Sequence, residues 1–422
     1  MAITIIEDIP LFNPAFNRMI VVADSTNVAQ PSFKYLFDVY VNFPATVEVR
    51  RFAVIPEPDQ NYGVVDVGRF VESALSSTLG VFDSTAAFAI GQNTNNSKSV
   101  TEVQVKYGEQ YEVAGVLTDF PNLTTGSLKY AWNASIGYEQ FHFFNAEDYL
   151  MSLAFDPAEF LTDQKTNKVS TGNLGWHHIL SDTASDVDYL EIKTYDSAGV
   201  LIQTVQRANS ASTALIASKM YKVATAPGTL NALIGPFLMG AQPIITPSVA
   251  SYTVGVWNTA PTILSELLSF TMEEPCRYTQ RRVHFLNNYG SFDCFNFNLR
   301  SQEKRKTERQ SYSYDKYPIT ATGTNFLLQD QKQVVNFTQT QPTLIVRSDY
   351  LTTEENTWLQ QLVDSPEIYL EVSDNQDNPV QNFLAVESVI GDSWVEQETS
   401  IDKLWIMELE LKFSQVDKRQ RR

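Results

Sequence analysis

Apolar and polar residues alternate with a period of two through much of the chain. The clearest run is 33–43, where Phe33, Tyr35, Phe37, Val39, Val41 and Phe43 fall on one face of a strand. Met19–Val22 and Thr46–Phe52 flank it as further strands, set apart by Asn, Asp, Pro and Gln residues that favour turns. Val67, Phe70, Val71, Ala74 and Leu75 recur instead at spacings of three and four, which predicts one short amphipathic helix over Val67–Leu75. Residues 84–99 turn small and polar around Gly91-Gln-Asn-Thr-Asn-Asn-Ser-Lys-Ser and read as an exposed loop. Alternation resumes in Val103–Val113, Leu128–Tyr138, Tyr189–Tyr195 and Val200–Val205; the last two flank Asp196-Ser-Ala-Gly199, a turn of hairpin length.

The C-terminal third supplies strands around Val283–Leu286, Phe292–Leu299, Ser311–Tyr317 and Thr343–Arg347. Thr352 and Glu355 then form a capping box, opening a helix that buries Trp358, Leu359 and Leu362 and stops at Ser365-Pro366. Ile368–Val372 and Leu404–Phe413 close the pattern, with Trp405, Met407, Leu409, Leu411 and Phe413 facing the core. The expected fold is therefore mainly β, a multi-domain β-sandwich or barrel protein with a few short helices. Its expected parts are an N-terminal β-domain (1–114), an inserted or second β-domain with long polar loops (115–270), and a C-terminal β-domain (271–422) with one helix at about 352–363. No repeat of fixed period emerges, which argues against solenoids and propellers.

Composition strengthens the strand reading. The 422 residues include 25 Phe, 19 Tyr and 6 Trp, and 43% are hydrophobic, enough for several packed cores. The formal net charge of −18 disfavours general binding to a phosphate backbone. The N-terminus meets Glu7 and Asp8 before an apolar run forms, so no signal peptide is expected. The longest apolar stretches, such as Leu230–Met239, are too short to span a bilayer. The expectation is a chain kept in the cytosol until something else moves it, with no membrane insertion.

Candidate chemistry is sparse. The four histidines, His142, His177, His178 and His284, lack the helical spacing to glutamate of a zinc site, and His177 and His178 would point to opposite faces of a strand. Cys276 and Cys294 have no Cys-x-x-Cys partner; buried, inert thiols are the better reading, with a disulfide across the intervening hairpin as the alternative. No nucleophile elbow, phosphate-cradling loop or dinucleotide fingerprint occurs, so no catalytic residue, cofactor or metal is expected. Carboxylates are abundant, but in an acidic β protein most of them belong to solvated faces. The Asn-x-Ser/Thr triplets at Asn95, Asn122, Asn133 and Asn336 reflect composition.

One stretch departs from the acidic background. Between 277 and 309 stand eight basic residues (Arg277, Arg281, Arg282, Arg300, Lys304, Arg305, Lys306 and Arg309) against three acids (Asp293, Glu303 and Glu308). Such a run blunts a strand edge against wrong pairing, or meets an acidic patch on a neighbouring subunit and fixes register in a ring or stack; nucleic acid is a third reading, weaker because the rest of the molecule repels it.

Inside that stretch, Arg281-Arg-Val-His-Phe-Leu-Asn-Asn-Tyr-Gly-Ser-Phe-Asp-Cys-Phe-Asn-Phe reads as a hairpin. Phe285, Leu286, Asn287, Gly290, Phe292, Asp293, Phe295 and Phe297 carry its pattern, with Asn287, Asn288 and Gly290 permitting the turn. It resembles virion structural proteins, of the tail or neck, from crAss-like or related tailed phages that infect Bacteroidota. The opening Pro10-Leu-Phe-Asn-Pro-Ala-Phe-Asn, the 33–41 strand and the C-terminal Trp358-Leu with Ser365-Pro-Glu-Ile-Tyr-Leu look similar too. The three stretches cover about a quarter of the chain, and 115–270 takes no part in the likeness. The resemblance implies a tail or neck ring, adaptor or hub subunit rather than an enzyme. Its partners would be itself in a ring and neighbouring virion proteins, with DNA only in non-specific passage. A head-surface or decoration protein is the nearest rival, and a carbohydrate-binding adhesin or receptor-binding protein the next.

Overall fold

A computed structural model of the chain describes residues 3–42, 47–75, 99–151, 157–181, 187–208, 219–232, 243–258, 262–273, 277–313, 319–324, 333–372, 383–389, 395–398 and 405–418. The protein is mainly β, with several sheets and only a few short helices. It divides into two compact units. The first comprises 1–274, 286–294 and 376–380, the second 275–285, 295–375 and 381–422.

The strands of the first unit are β1 (Ile3–Glu7), β2 (Phe12–Pro14), β3 (Ile20–Ser25), β4 (Lys34–Asn42), β5 (Val47–Val54), β6 (Gly63–Asp66), β7 (Val100–Val113), β8 (Val116–Thr125), β9 (Lys129–Trp132), β10 (Leu150–Met151), β11 (Thr166–Val169), β12 (Trp176–Ser181), β13 (Tyr189–Tyr195), β14 (Leu201–Ala208), β15 (Met220–Ala224), β16 (Ser251–Trp257) and β17 (Leu268–Met272). A six-stranded sheet runs β2-β9-β7-β4-β5 with β8 on β7, and a three-stranded sheet β1-β3-β6 contributes to the same core. Strand β4 lies antiparallel between β5 and β7 and buries Tyr35, Phe37, Val39 and Val41, the face its alternation marks. Phe43 and the 84–99 loop lie outside the described residues. The opposite face of β4 is covered as well: Leu36 is buried, and Asp38 accepts two bonds from Arg51 at 2.6 and 2.8 Å. The helix expected over Val67–Leu75 is shorter, Gly68–Glu72, although Val67, Val71, Ala74 and Leu75 all enter the core.

Two expectations shift in this unit. The strand expected over Leu128–Tyr138 ends at Trp132, after which Gly137 opens a four-residue helix, Tyr138–Phe141. The strand β8 has no counterpart in the hydrophobic pattern, because most of its side chains are exposed or half-buried. It folds back on β7 through Ala114 and Gly115, both at positive φ, leaving Val113, Val116 and Leu117 exposed at the tip. The rest of the unit holds a five-stranded sheet, β11-β17-β16-β13-β14, and a three-stranded one, β10-β12-β15. The Asp196–Gly199 turn forms as expected: Asp196 Oδ1 accepts from the Ala198 and Val200 amides, and Gly199 takes positive φ.

The strands of the second unit are β18 (Arg281–Leu286), β19 (Phe292–Phe297), β20 (Gln302–Ser313), β21 (Ile319–Thr320), β22 (Gly323–Thr324), β23 (Gln333–Arg347), β24 (Ile368–Glu371), β25 (Phe383–Val389), β26 (Val395–Glu398), β27 (Trp405–Phe413) and β28 (Asp417–Lys418). The turn of β18–β19, residues 286–294, belongs to the first unit. One sheet in the order β19-β18-β24-β25-β27-β23-β20, with β26 on β27 and β28 on β23, makes up this unit apart from the short β21–β22 pair. Its core gathers Val283, Phe285, Phe297, Leu344, Val346, Met407, Leu409 and Leu411 under the helix Thr353–Asp364. That helix has the full capping box: Thr352 accepts from the Glu355 amide while Glu355 accepts from the Thr352 amide. Trp358, Leu359 and Leu362 are buried on it as the spacing requires. Among the described residues no helix is long and apolar enough to cross a membrane.

Candidate interaction surface

The β18–β19 hairpin is a packing element along its whole length. Phe285, Leu286, Asn287, Gly290, Phe292, Asp293 and Phe297 are all buried, and Phe295 is partly so. Phe285 and Phe295 place their rings 5.6 and 6.1 Å from that of Trp358. Asn287 organises the turn: its Oδ1 accepts from the amides of Tyr289 (3.0 Å) and Ser291 (2.9 Å), and its Nδ2 donates to the Leu161 carbonyl at 2.8 Å. Gly290 is obligatory by geometry. Its φ is +78°, and a Cβ there would stand 2.2 Å from the Asn133 carbonyl oxygen. The Trp132 indole donates to the Tyr289 carbonyl at 2.9 Å, and the Tyr289 hydroxyl to Asp163 at 2.8 Å. Burial and the Asp163 charge push the Tyr289 phenol far above its ordinary pKa.

A buried polar group lies against this turn. His178 Nδ1 is 3.0 Å from the Ser291 hydroxyl, His177 Nδ1 is 2.8 Å from the Thr225 hydroxyl, and His177 Nε2 is 4.0 Å from Asp293. Loss of hydration, helped by Lys222 and His177, lowers the His178 pKa to about 3, so the imidazole is neutral at pH 7. The two histidines do point apart, as adjacent residues of a strand must, and both are buried. A serine beside a neutral histidine resembles a nucleophile pair, but here both Ser291 and His178 are buried. Among the described residues, no three His, Cys, Asp or Glu side chains gather as a metal site would require. Cys294 is buried, and Cys276 lies outside the described residues.

The basic residues do not form one patch. Arg282 is only 5% exposed: its Nη1 donates to Asn296 at 2.8 Å and its Nε lies 3.5 Å from Glu371, which His284 Nε2 approaches to 2.9 Å. It is a buried structural charge, excluded from any contact surface because Asn296 and Glu371 hold it inside the sheet. Half-buried Arg281 leans toward Ser301 and Glu303, while Arg277 and Arg300 are exposed. Lys304, Arg305, Lys306 and Arg309 all stand on β20, every residue of which is exposed.

That strand and β23 form a long arm. Residues 302–313 pair antiparallel with 333–345, with one bulge between Gln310 and Ser311. On its far side β23 is paired by β27 over Thr343–Arg347 and by β28 at Gln339 and Thr340. Among the described residues β20 has no partner other than β23, so one edge of the arm is open along its length. Residues 305–313 alone extend roughly 30 Å. The period of two sorts the charges. Lys304 and Lys306 lie on one face, engaged with Glu410 and Glu308 at 3.4 and 3.1 Å. Arg305 and Arg309 lie on the other, across from Pro342 and Thr338, with Thr307 and Thr340 hydroxyls 3.1 Å apart between them. Neither arginine forms an ion pair among the described residues.

The basic run, expected as a solvated strand edge, does place Lys304, Arg305, Lys306 and Arg309 on the exposed edge strand β20, whereas the long outer part of β23, before Thr343, has no counterpart among the expected strands. No protein-family model matches the chain, and comparison with curated proteins finds no match.

Proposed function

We propose that the chain is a structural subunit of a bacteriophage particle, a tail or neck ring, adaptor or hub component that assembles into a cyclic oligomer and catalyses no reaction. The observation that carries this reading is the β20–β23 arm. Every residue of β20 is exposed, the strand stands at the edge of its sheet, and an open edge is a template for pairing. Such an element makes physical sense when a neighbouring subunit covers it. The exposed Val113, Val116 and Leu117 at the β7–β8 tip supply a further apolar contact of the same kind. The hairpin and flanking stretches that resemble virion proteins direct the reading to a phage particle, and the net charge of −18 suits a wall past which DNA moves without sticking.

Negative-stain electron microscopy and native mass measurement of the purified chain test it, with closed rings of one stoichiometry as the expected result. A monomer at every concentration, with no association to particles, overturns it. Immunogold labelling of particles then separates a tail or neck position from the head surface.

A further inference from the structure

Residues 137–148, Gly-Tyr-Glu-Gln-Phe-His-Phe-Phe-Asn-Ala-Glu-Asp, form a knob on the first unit built from two short turns, Tyr138–Phe141 and Ala146–Tyr149. Its aromatic residues divide sharply. Phe141, Phe144 and Tyr149 pack on the core that holds Trp132 and Tyr289, with Phe144 stacked on Tyr149 at 5.4 Å and 6.1 Å from Trp132. Backbone bonds from Phe141 to Gly137 and from Phe143 to Gln140 close the first turn, and the Asn145 side chain caps the second. Tyr138 and Phe143 point the other way, 87% and 84% exposed. Rigid aromatics held in water by an anchored backbone are the typical hot spots of interfaces, because little ordering entropy remains to be lost on binding.

The chemistry around them is one-sided. Glu139, Glu147 and Asp148 are exposed, and 137–148 contains no lysine or arginine. The surface therefore offers aromatic faces among carboxylates, which suits a guanidinium: it stacks on the ring and bonds to the acid. The same chain carries the complement, the exposed Arg305 and Arg309 of the arm, neither of which forms an ion pair among the described residues. DNA is a poor occupant for an acidic knob, whereas a second copy delivers one basic arm for every knob.

We infer that the knob of one copy receives the Arg305–Arg309 face of the arm from a second copy, an inference that rests on the reading of the chain as a self-assembling subunit. Because the two surfaces differ, the contact is heterologous: every copy gives an arm and takes one, and the series closes into a ring when the rotation permits.

Charge exchange tests it. Glu139→Lys/Glu147→Lys/Asp148→Lys reverses the knob, and Arg305→Glu/Arg309→Glu reverses the arm. Each variant alone is expected to associate at least about tenfold more weakly than the native chain in sedimentation, a loss of about 1.4 kcal/mol. An equimolar mixture is expected to assemble again with the two variants alternating. A knob variant that assembles like the native chain, or a mixture that stays dissociated while both variants are folded, overturns the docking and leaves the assembly reading standing. A native chain that never assembles overturns both. Tyr138→Ser/Phe143→Ser provides a check independent of charge: circular dichroism is expected to be unchanged and association lost, and retained association counts against the site.

Discussion

The β18–β19 hairpin and the β20–β23 arm follow one another in the chain, both are antiparallel ribbons, and both carry arginines, yet they end in opposite environments. In the hairpin nearly every side chain is buried, and Asn287, Arg282 and His284 have designated partners: the turn amides, Asn296 with Glu371, and Glu371. In the arm every β20 side chain meets solvent. The hairpin places aromatic or aliphatic residues on both faces, so it specifies burial and must then satisfy the few polar groups it takes along. The arm places Thr, Gln, Lys, Arg and Glu on both faces, so backbone pairing and β-branched propensity hold it, and its surface remains available. An arginine is thus held inside the fold at 282 and displayed to solvent at 305. The largest effects of substitution belong to the hairpin and the smallest to the arm.

Gly290→Val strikes the comparison hardest. The new side chain meets the Asn133 carbonyl and requires a φ that β-branched residues do not adopt. Destabilisation by more than about 4 kcal/mol is expected, read from urea unfolding or from loss of soluble protein. Glu371→Gln comes next. It leaves the Arg282 guanidinium buried beside a neutral amide and is expected to cost about 3 kcal/mol, whereas Arg282→Met with Glu371→Leu recovers much of that loss by removing both charges. If Glu371→Gln costs no more than an arm substitution, the contrast between the two ribbons fails.

The third effect is a pH dependence. The His178 pKa is depressed from 6.5 to about 3 by folding, so below pH 6.5 the unfolded chain binds a proton that the folded chain refuses. Stability is fully present above pH 6.5 and falls by about 1.4 kcal/mol per pH unit on the way down toward pH 3. Between pH 7 and 5 this amounts to about 2 kcal/mol. His178→Asn keeps a polar atom near Ser291 without a titrating ring, and its stability is expected to change less over that interval by this amount in denaturant titrations at the two pH values. Equal slopes for both proteins would place the proton uptake elsewhere.

The contrast also explains what the sequence discloses. Where a strand has one wet face, as in β27, or an aromatic stripe, as at Tyr35, Phe37, Val39 and Val41, hydrophobic periodicity records it directly. The Thr352–Glu355 capping box is legible for a similar reason, since donor and acceptor are three residues apart. Strand β8 and the outer part of β23 are not legible, and β20 is legible only as a solvated edge. Their side chains are exposed or half-buried without a sustained hydrophobic period, and hydrogen-bonded register defines them. The role of Arg282 was hidden because Glu371 lies 89 positions further along. Of the knob's aromatics only Tyr138 falls in the strand expected over Leu128–Tyr138; that strand breaks after Trp132, and Tyr138 and Phe143 stand exposed beyond the break.

The smallest expected effect is the most discriminating. Arg305→Ala/Arg309→Ala removes two exposed side chains that face Pro342 and Thr338 across the ribbon and that no acid holds among the described residues. Unfolding in urea at concentrations where the chain is monomeric is expected to shift by no more than about 0.5 kcal/mol, since exposed side chains without partners contribute little to a fold. Association at higher concentration is expected to weaken, and added salt to weaken it further in the native chain than in the variant, because screening acts on charges the variant no longer has. A large loss of monomer stability would show that the arm is held by its own unit in the way the hairpin is, and the distinction between burial and display would disappear. A variant with native stability and native association would instead keep the arm as an exposed ribbon and strip its arginines of any part in assembly.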